Sequence, residues 1–122
     1  FHNKFVADIT DKELNTYHWI KATIVDLVKV RDKSIYNTED LLWGVFSVCI
    51  YDTNEHLSVI MQHKEFDIFG TDFSKLTLDE KAASIMDTLQ SPILSELLIH
   101  VYEHDNTKRY KVVKLLKIEV DN

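Results

Sequence analysis

Residues 56–104 read HLSVIMQHKEFDIFGTDFSKLTLDEKAASIMDTLQSPILSELLIHVYEH, and the hydrophobic period changes twice within them. HLSVIMQ at 56–62 is a short apolar run with β-branched residues, which predicts a strand. From Lys64 the pattern shifts, and Phe66, Ile68, Phe69 and Phe73 surround Gly70. Thr77-Leu-Asp-Glu80 has the form of a capping box, in which a hydroxyl and a carboxylate satisfy the free amides of a helix start. Asp79 and Glu80 sit where the helix dipole favours acids. Leu78, Ala82, Ile85, Met86 and Leu89 then recur at helical spacing, so a helix is predicted at about 78–90. Ser91-Pro92 stops it, because proline biases the preceding residue away from helical angles and has no amide to donate. Beyond it, residues 95–104 return to a β-rich pattern. A helix is thus inserted between two strands, and its apolar stripe reads as a plug over one end of a sheet.

Working outward, WIKATIVDLVKV at 19–30 predicts a long strand with Ile20, Ala22, Ile24, Val28 and Val30 on one face. RDKSIYNTED at 31–40 reads as a polar loop, and LLWGVFSVCIYD at 41–52 as a second strand. Asp52-Thr-Asn54 has turn chemistry and pairs that strand with HLSVIMQ in a hairpin. RYKVVKLLKIEV at 109–120 closes the chain as a fifth strand, after a turn at Asp105–Lys108. Thr10-Asp-Lys-Glu13 is a second capping box and predicts a short helical turn near 11–16. There is no repeat or linker, so residues 1–122 are expected to form a single domain. A sheet this short avoids exposed edges by curling on itself. The expected fold class is therefore mainly β: a five-stranded OB-fold barrel with a helix between strands 3 and 4.

Composition narrows the function. The 122 residues are 45% apolar and 28% charged, enough for a real core. No apolar run approaches the roughly 20 residues that span a bilayer, and no signal-peptide pattern opens the chain. A soluble chain without a membrane partner is expected. Phe1 in place of methionine reads as an excised domain or a processed product. Cys49 is the only cysteine, which excludes an internal disulfide and a cysteine-only zinc site and points to a reducing, intracellular setting. With only Gly44 and Gly70, glycine-rich phosphate loops have no raw material. The net charge of −6 argues against indiscriminate nucleic-acid binding. It is uneven: residues 61–105 carry three Lys/Arg against nine Asp/Glu, whereas residues 106–122 carry five against two.

The segment from Val45 to Gly70, VFSVCIYDTNEHLSVIMQHKEFDIFG, resembles the OB domains of replication protein A. In that family an alternating aliphatic strand with Asp turns into a strand ending near Gln or Glu, followed by a helical stretch ending in a bulky residue and Gly. The last hairpin, VYEHDNTKRYKVVKLLKIEV, is similar to the closing hairpin of the same family. The likeness is nearest to the C-terminal domain of the large subunit and its telomere-capping and meiotic relatives. It covers about 100 of the 122 residues. It implies a domain of a single-stranded DNA-binding complex in replication or telomere maintenance, located in the nucleus, with single-stranded DNA or other subunits of such a complex as partners. Two departures stand out. The family's zinc ribbon between the first two strands is replaced by Arg31–Asp40 without cysteine, so zinc is not expected. Its base-stacking aromatic at the start of strand 3 corresponds to Leu57.

In an OB barrel the ligand crosses strands 2 and 3, flanked by the loops between strands 1 and 2 and between strands 4 and 5. If Phe46, Val48 and Ile50 face inward, then Trp43, Val45, Ser47, Cys49 and Tyr51 face outward. The flanking loops add Arg31, Lys33 and Tyr36 on one side and Lys108, Arg109 and Tyr110 on the other. Cations along a backbone track beside aromatic faces are what a single strand requires. The nucleic-acid-binding candidates are therefore Arg31, Lys33, Tyr36, Trp43, Lys108, Arg109 and Tyr110. Set against this, Trp43 and Tyr51 could cover the barrel's end, and Lys111, Lys114 and Lys117 could be the solvated face of an edge strand. Phe66, Phe69 and Phe73 read as core filling rather than as an exposed patch. His100 and His104, four apart on a strand, lie about 13 Å apart, too far to chelate together. No metal site, cofactor, small-molecule substrate or catalytic group is expected, and Cys49 reads as a packed side chain. A second reading is a protein-interaction module on the same fold that docks a partner subunit without touching nucleic acid. A third is an acidic inhibitor or immunity protein that mimics nucleic acid.

Overall fold

The structure, a computed structural model, describes residues 9–35 and 39–118, and does not extend to the side chains of residues 31–35, 39–42 and 63. It is mainly β. Strands β1 (Thr16–Ile35), β2 (Glu39–Ile50) and β3 (His56–Gln62) are followed by a 3-10 segment (His63–Phe69) and the helix α1 (Leu78–Thr88). Strands β4 (Ile93–His104) and β5 (Thr107–Lys117) complete the order. The helix between strands 3 and 4 is thus where the sequence places it.

The sheet closes on itself in a ring in the order β1-β2-β3-β5-β4, with β4 returning to β1. All pairings are antiparallel except β3 with β5, which meet in parallel at Ile60 and Lys111. β1 makes the ring possible by serving two neighbours. Thr16–Ile24 pair with β4, while Ala22–Ile35 pair with β2. Two register shifts, between Ile24 and Asp26 and between Leu27 and Lys29, leave Val25 and Val28 as extra residues. Such bulges bend a strand and increase its twist, as a short ring of strands requires.

The bulges also correct the alternation expected for β1. Ile20, Ala22 and Ile24 are buried as expected, but Val28 is 61% exposed, and Leu27 takes the inward place opposite Phe46. A uniform period of two cannot anticipate an inserted residue, which flips the side chains after it until the second bulge restores the phase, so that Val30 packs against the core as expected. Three other expectations change. Residues 31–40 are not simply a loop, because both strands continue into them, leaving only residues 36–38 outside the description. No helical turn spans 11–16: helical backbone is present at residues 9 and 10, and Thr16 already belongs to β1. On α1, Ile85 and Leu89 are buried, but Leu78 and Met86 are exposed, so the packed face is narrower than the apolar stripe.

Inside the ring, Ile20, Ile24, Phe46, Val48, Val59, Met61, Leu97, Ile99 and Val112 form one core. Phe66 and Phe69 are buried in it and Phe73 packs against it, as the sequence suggests. Phe46 is 5.6 Å from both Phe66 and Phe69 by ring centroid, and Phe66 meets Phe73 edge-on at 6.2 Å. This aromatic cluster explains Gly44. A Cβ there would lie 2.8 Å from the Phe46 ring and 3.2 Å from Phe66 Cζ. Gly70 has the left-handed φ of 67° at the end of the 3-10 segment, where its amide bonds to the Asp67 carbonyl. A left-handed helix terminus of this kind favours glycine because it has no Cβ to clash. Between β4 and β5 the turn is tight, with Asp105 and Asn106 both at positive φ, as a two-residue hairpin of primed type requires.

The N-terminal residues also contribute to packing. Ile9 is fully buried in the core, and the Asn15 amide donates to the Val101 carbonyl. Here His18 Nε2 lies 2.7 Å from Thr16 Oγ1, and burial, with Lys12 nearby, lowers its pKa below the usual 6.5. The folded state therefore prefers neutral His18. Its contribution is present above the unfolded pKa and is lost as pH falls through the folded one.

Two predictions follow from this packing. Gly44→Ala should destabilise the fold by about 1–3 kcal/mol in chemical denaturation, since the Phe46–Phe66 contact must open; an unchanged midpoint would refute the close-packing account. Lowering the pH from about 7.5 to about 5.5 should destabilise wild type more than His18→Gln, which has no imidazole to protonate. Equal losses in the two proteins would contradict the neutral-His18 assignment.

Candidate nucleic-acid interface

β2 and β3 carry opposite chemistries on their two faces because side chains alternate. Phe46, Val48, Val59 and Met61 point into the core. The outward positions pair across the strands as Trp43 with Gln62, Val45 with Ile60 and Ser47 with Ser58. Although outward, Trp43 and Ile60 are only 8% and 6% exposed. The covering comes from the β4–β5 hairpin, whose end approaches this face and leaves two adjoining depressions.

One depression, of about 390 Å³, is lined by Val45, Ser58 and Ile60 from the sheet and by Lys108, Arg109 and Tyr110 from β5. The other, of about 460 Å³, is lined by Lys29, Trp43 and Gln62 on one side and Tyr102, His104 and Asp105 on the other. Ile60 and Arg109 border both, so the two form one groove with an arginine at its middle. Arg109 lies opposite Tyr102 across the β4–β5 pair. Among the described residues its buried Nε has no hydrogen-bond partner. Burial pushes the Tyr102 phenol upward in pKa, and the Arg109 charge opposes that shift. The groove thus offers the margin of an indole, an aliphatic floor and a guanidinium.

Four of the seven candidates from sequence, Trp43, Lys108, Arg109 and Tyr110, line this groove. Two of them have additional structural roles. Lys108 Nζ donates a 2.6 Å hydrogen bond to the Thr10 carbonyl, fixing the N-terminal segment to the hairpin. Tyr110 packs partly against the core, and its pKa is raised by burial and by the nearby Asp11. Arg31 lies opposite Trp43 in the β1–β2 register and Lys33 opposite Leu41, which sets their backbones in the extended arm beside the groove. Tyr36 lies outside the described residues. Leu57 is buried in the core, so the outward face of β3 consists of His56, Ser58, Ile60 and Gln62 and has no Phe, Tyr or Trp. Tyr51 lies past the end of β2 and holds the Lys21 ammonium 4.0 Å above its ring.

Sequence reasoning missed Lys29, Gln62 and Tyr102. Lys29 carries a signal: alternation sets it opposite in phase to Val28 and Val30, and the two β1 bulges together leave it outward, across from Val45. Tyr102 carries a usable signal: alternation along 94–104 places it on the outward face, directly across the hairpin from Arg109. Among the described residues, no group of three or more His, Cys, Asp or Glu is arranged to hold a metal ion. Among them too, no helix is long and apolar enough to cross a membrane. A scan of protein-family models gives no match, and no curated protein matches the chain.

Proposed function

We propose that this chain is an OB-fold domain of a replication-protein-A-like single-stranded DNA-binding complex, acting in replication or telomere maintenance in the nucleus. The strand order 1-2-3-5-4, the shared first strand and the helix between strands 3 and 4 support the fold assignment. One observation carries the function: Trp43 and Ile60 form a groove floor beneath Arg109, on the strand 2–3 face that OB folds use for oligonucleotides. A base laid along the groove meets the margin of the Trp43 indole and the Tyr102 ring, for which the stacking of about 1–3 kcal/mol seen on open aromatic faces is an upper bound. The Arg109 guanidinium, which borders both depressions, is placed to donate to a phosphate or a base edge. With a net charge of −6, the domain has little long-range attraction for DNA, so binding is weak and salt-sensitive. The reading involves no catalysis, cofactor or small-molecule substrate.

A protein-interaction module on the same fold is the second reading, and a specific observation favours it. The Lys108 ammonium is already engaged by Thr10, and β3 presents no Phe, Tyr or Trp outward, so the groove holds fewer groups for nucleic acid than the sequence implied.

Fluorescence anisotropy with a labelled oligothymidylate at two salt concentrations separates the two. Binding should weaken with salt, and Arg109→Ala should lower affinity and reduce the log–log salt slope by about 0.7, the loss expected for one phosphate contact on a single strand. No binding at low salt, or an unaffected Arg109→Ala, would refute the groove reading. A partner that co-purifies stably and survives nuclease treatment, combined with no binding, would select the interaction module.

A further inference from the structure

We propose that the bound single strand does not end in the groove but continues over the outward face of β4 onto the start of β1, where Tyr17, His100 and Tyr102 form a stacking ladder. The inference rests on the single-strand reading above and extends its path. Tyr17 stacks on His100 with centroids 4.5 Å apart and planes inclined by 10°, and His100 stacks on Tyr102 at 5.4 Å and 24°. Tyr102 also lines the groove, so the ladder begins where the groove ends. Tyr17, its far end, is 57% exposed. His100 spends its faces on its two neighbours and holds the row in place, while exposed Tyr17 leaves a ring against which a splayed base can stack, and stacking of this kind is tolerant of sequence.

The charges are arranged to match. Arg109 pairs with Tyr102 and Lys111 with His100 across the β4–β5 ladder, placing one cation beside each of two rings. Lys111 also faces Ile60 across the β3–β5 seam, so it stands between the groove floor and the ladder. This gives the basic C-terminal stretch a role that edge protection does not. β5 is paired with β4 along its length and joins β3 at Lys111, while the 3-10 segment packs beside it. An exposed sheet edge that lysines would need to guard is therefore not available at Lys111. On an acidic protein, cations concentrated beside an aromatic row are complementary to a phosphate backbone carrying unpaired bases.

Length dependence tests the path. Two labelled oligothymidylates are compared, one of about 8 nucleotides that fills the groove and one of about 20 that can pass beyond it. Tyr17→Ala should lower affinity for the longer strand by about tenfold, within the range for one stacked base, and leave the shorter strand unaffected; His100→Ala, which removes the ring that holds Tyr17, should also weaken the longer strand. Tyr17→Phe, which keeps the ring, should restore the longer strand's affinity. Arg109→Ala should weaken both lengths. If Arg109→Ala weakens both while Tyr17→Ala and His100→Ala change neither, the extended path is wrong and the groove stands. If neither strand binds wild type, the groove reading fails and the extension fails with it. Equal loss on both lengths from Tyr17→Ala would also overturn the ladder, since that residue lies outside the groove.

Discussion

The fold depends on one strand pairing with two neighbours. β1 runs for 20 residues, giving its first half to β4 and its second to β2. A straight strand of that length would make a flat sheet with two open edges. The extra residues Val25 and Val28 bend β1, and the bend returns β4 alongside the start of β1 while β2 pairs with its end. Everything else is fitted to that curvature. The aromatic cluster of Phe46, Phe66 and Phe69 fills the interior, and Gly44 lets it approach the β2 backbone. α1 packs against the bent strand, with Val25 beside Ala83 and Met86.

Closure of the ring also creates the groove. Once β5 joins β3 at Lys111 and Ile60, the β4–β5 hairpin comes over the outward face of β2 and β3. Trp43 and Ile60 are then shielded from solvent without entering the core. The N-terminal residues stabilise this arrangement from the other side, since Lys108 holds the Thr10 carbonyl and Ile9 is buried. The groove lining and the fold therefore share residues at the hairpin tip. Arg109 borders both depressions, and among the described residues its buried Nε has no hydrogen-bond partner.

Much of this was legible in the sequence, and the remainder was hidden for identifiable reasons. The β3-helix-β4 order followed from the capping box at Thr77 and the stop at Pro92, which are local signals; in the structure Thr77 caps α1 through the Glu80 amide. The hairpin turns followed from Asx residues that tolerate positive φ. Trp43, Lys108, Arg109 and Tyr110 converge because strand alternation and hairpin position were both readable. The bulges were not readable, since no residue at 25 or 28 distinguishes an inserted valine from a paired one. Starting the first strand at Trp19 instead of Thr16 left out Tyr17, and with it the ring stack on His100. The double use of Lys108 depends on a contact with Thr10, 98 residues away in sequence, which local patterns cannot register.

A titration of isotopically labelled protein with a single-stranded oligonucleotide, followed by amide and indole NMR shifts, tests the central claim most directly. The largest shifts are expected at the Trp43 indole and at the Val45, Ile60, Tyr102 and Arg109 amides, with the exposed face of α1 around Met86 unmoved. Shifts confined to α1, or none at saturating oligonucleotide, would contradict the account.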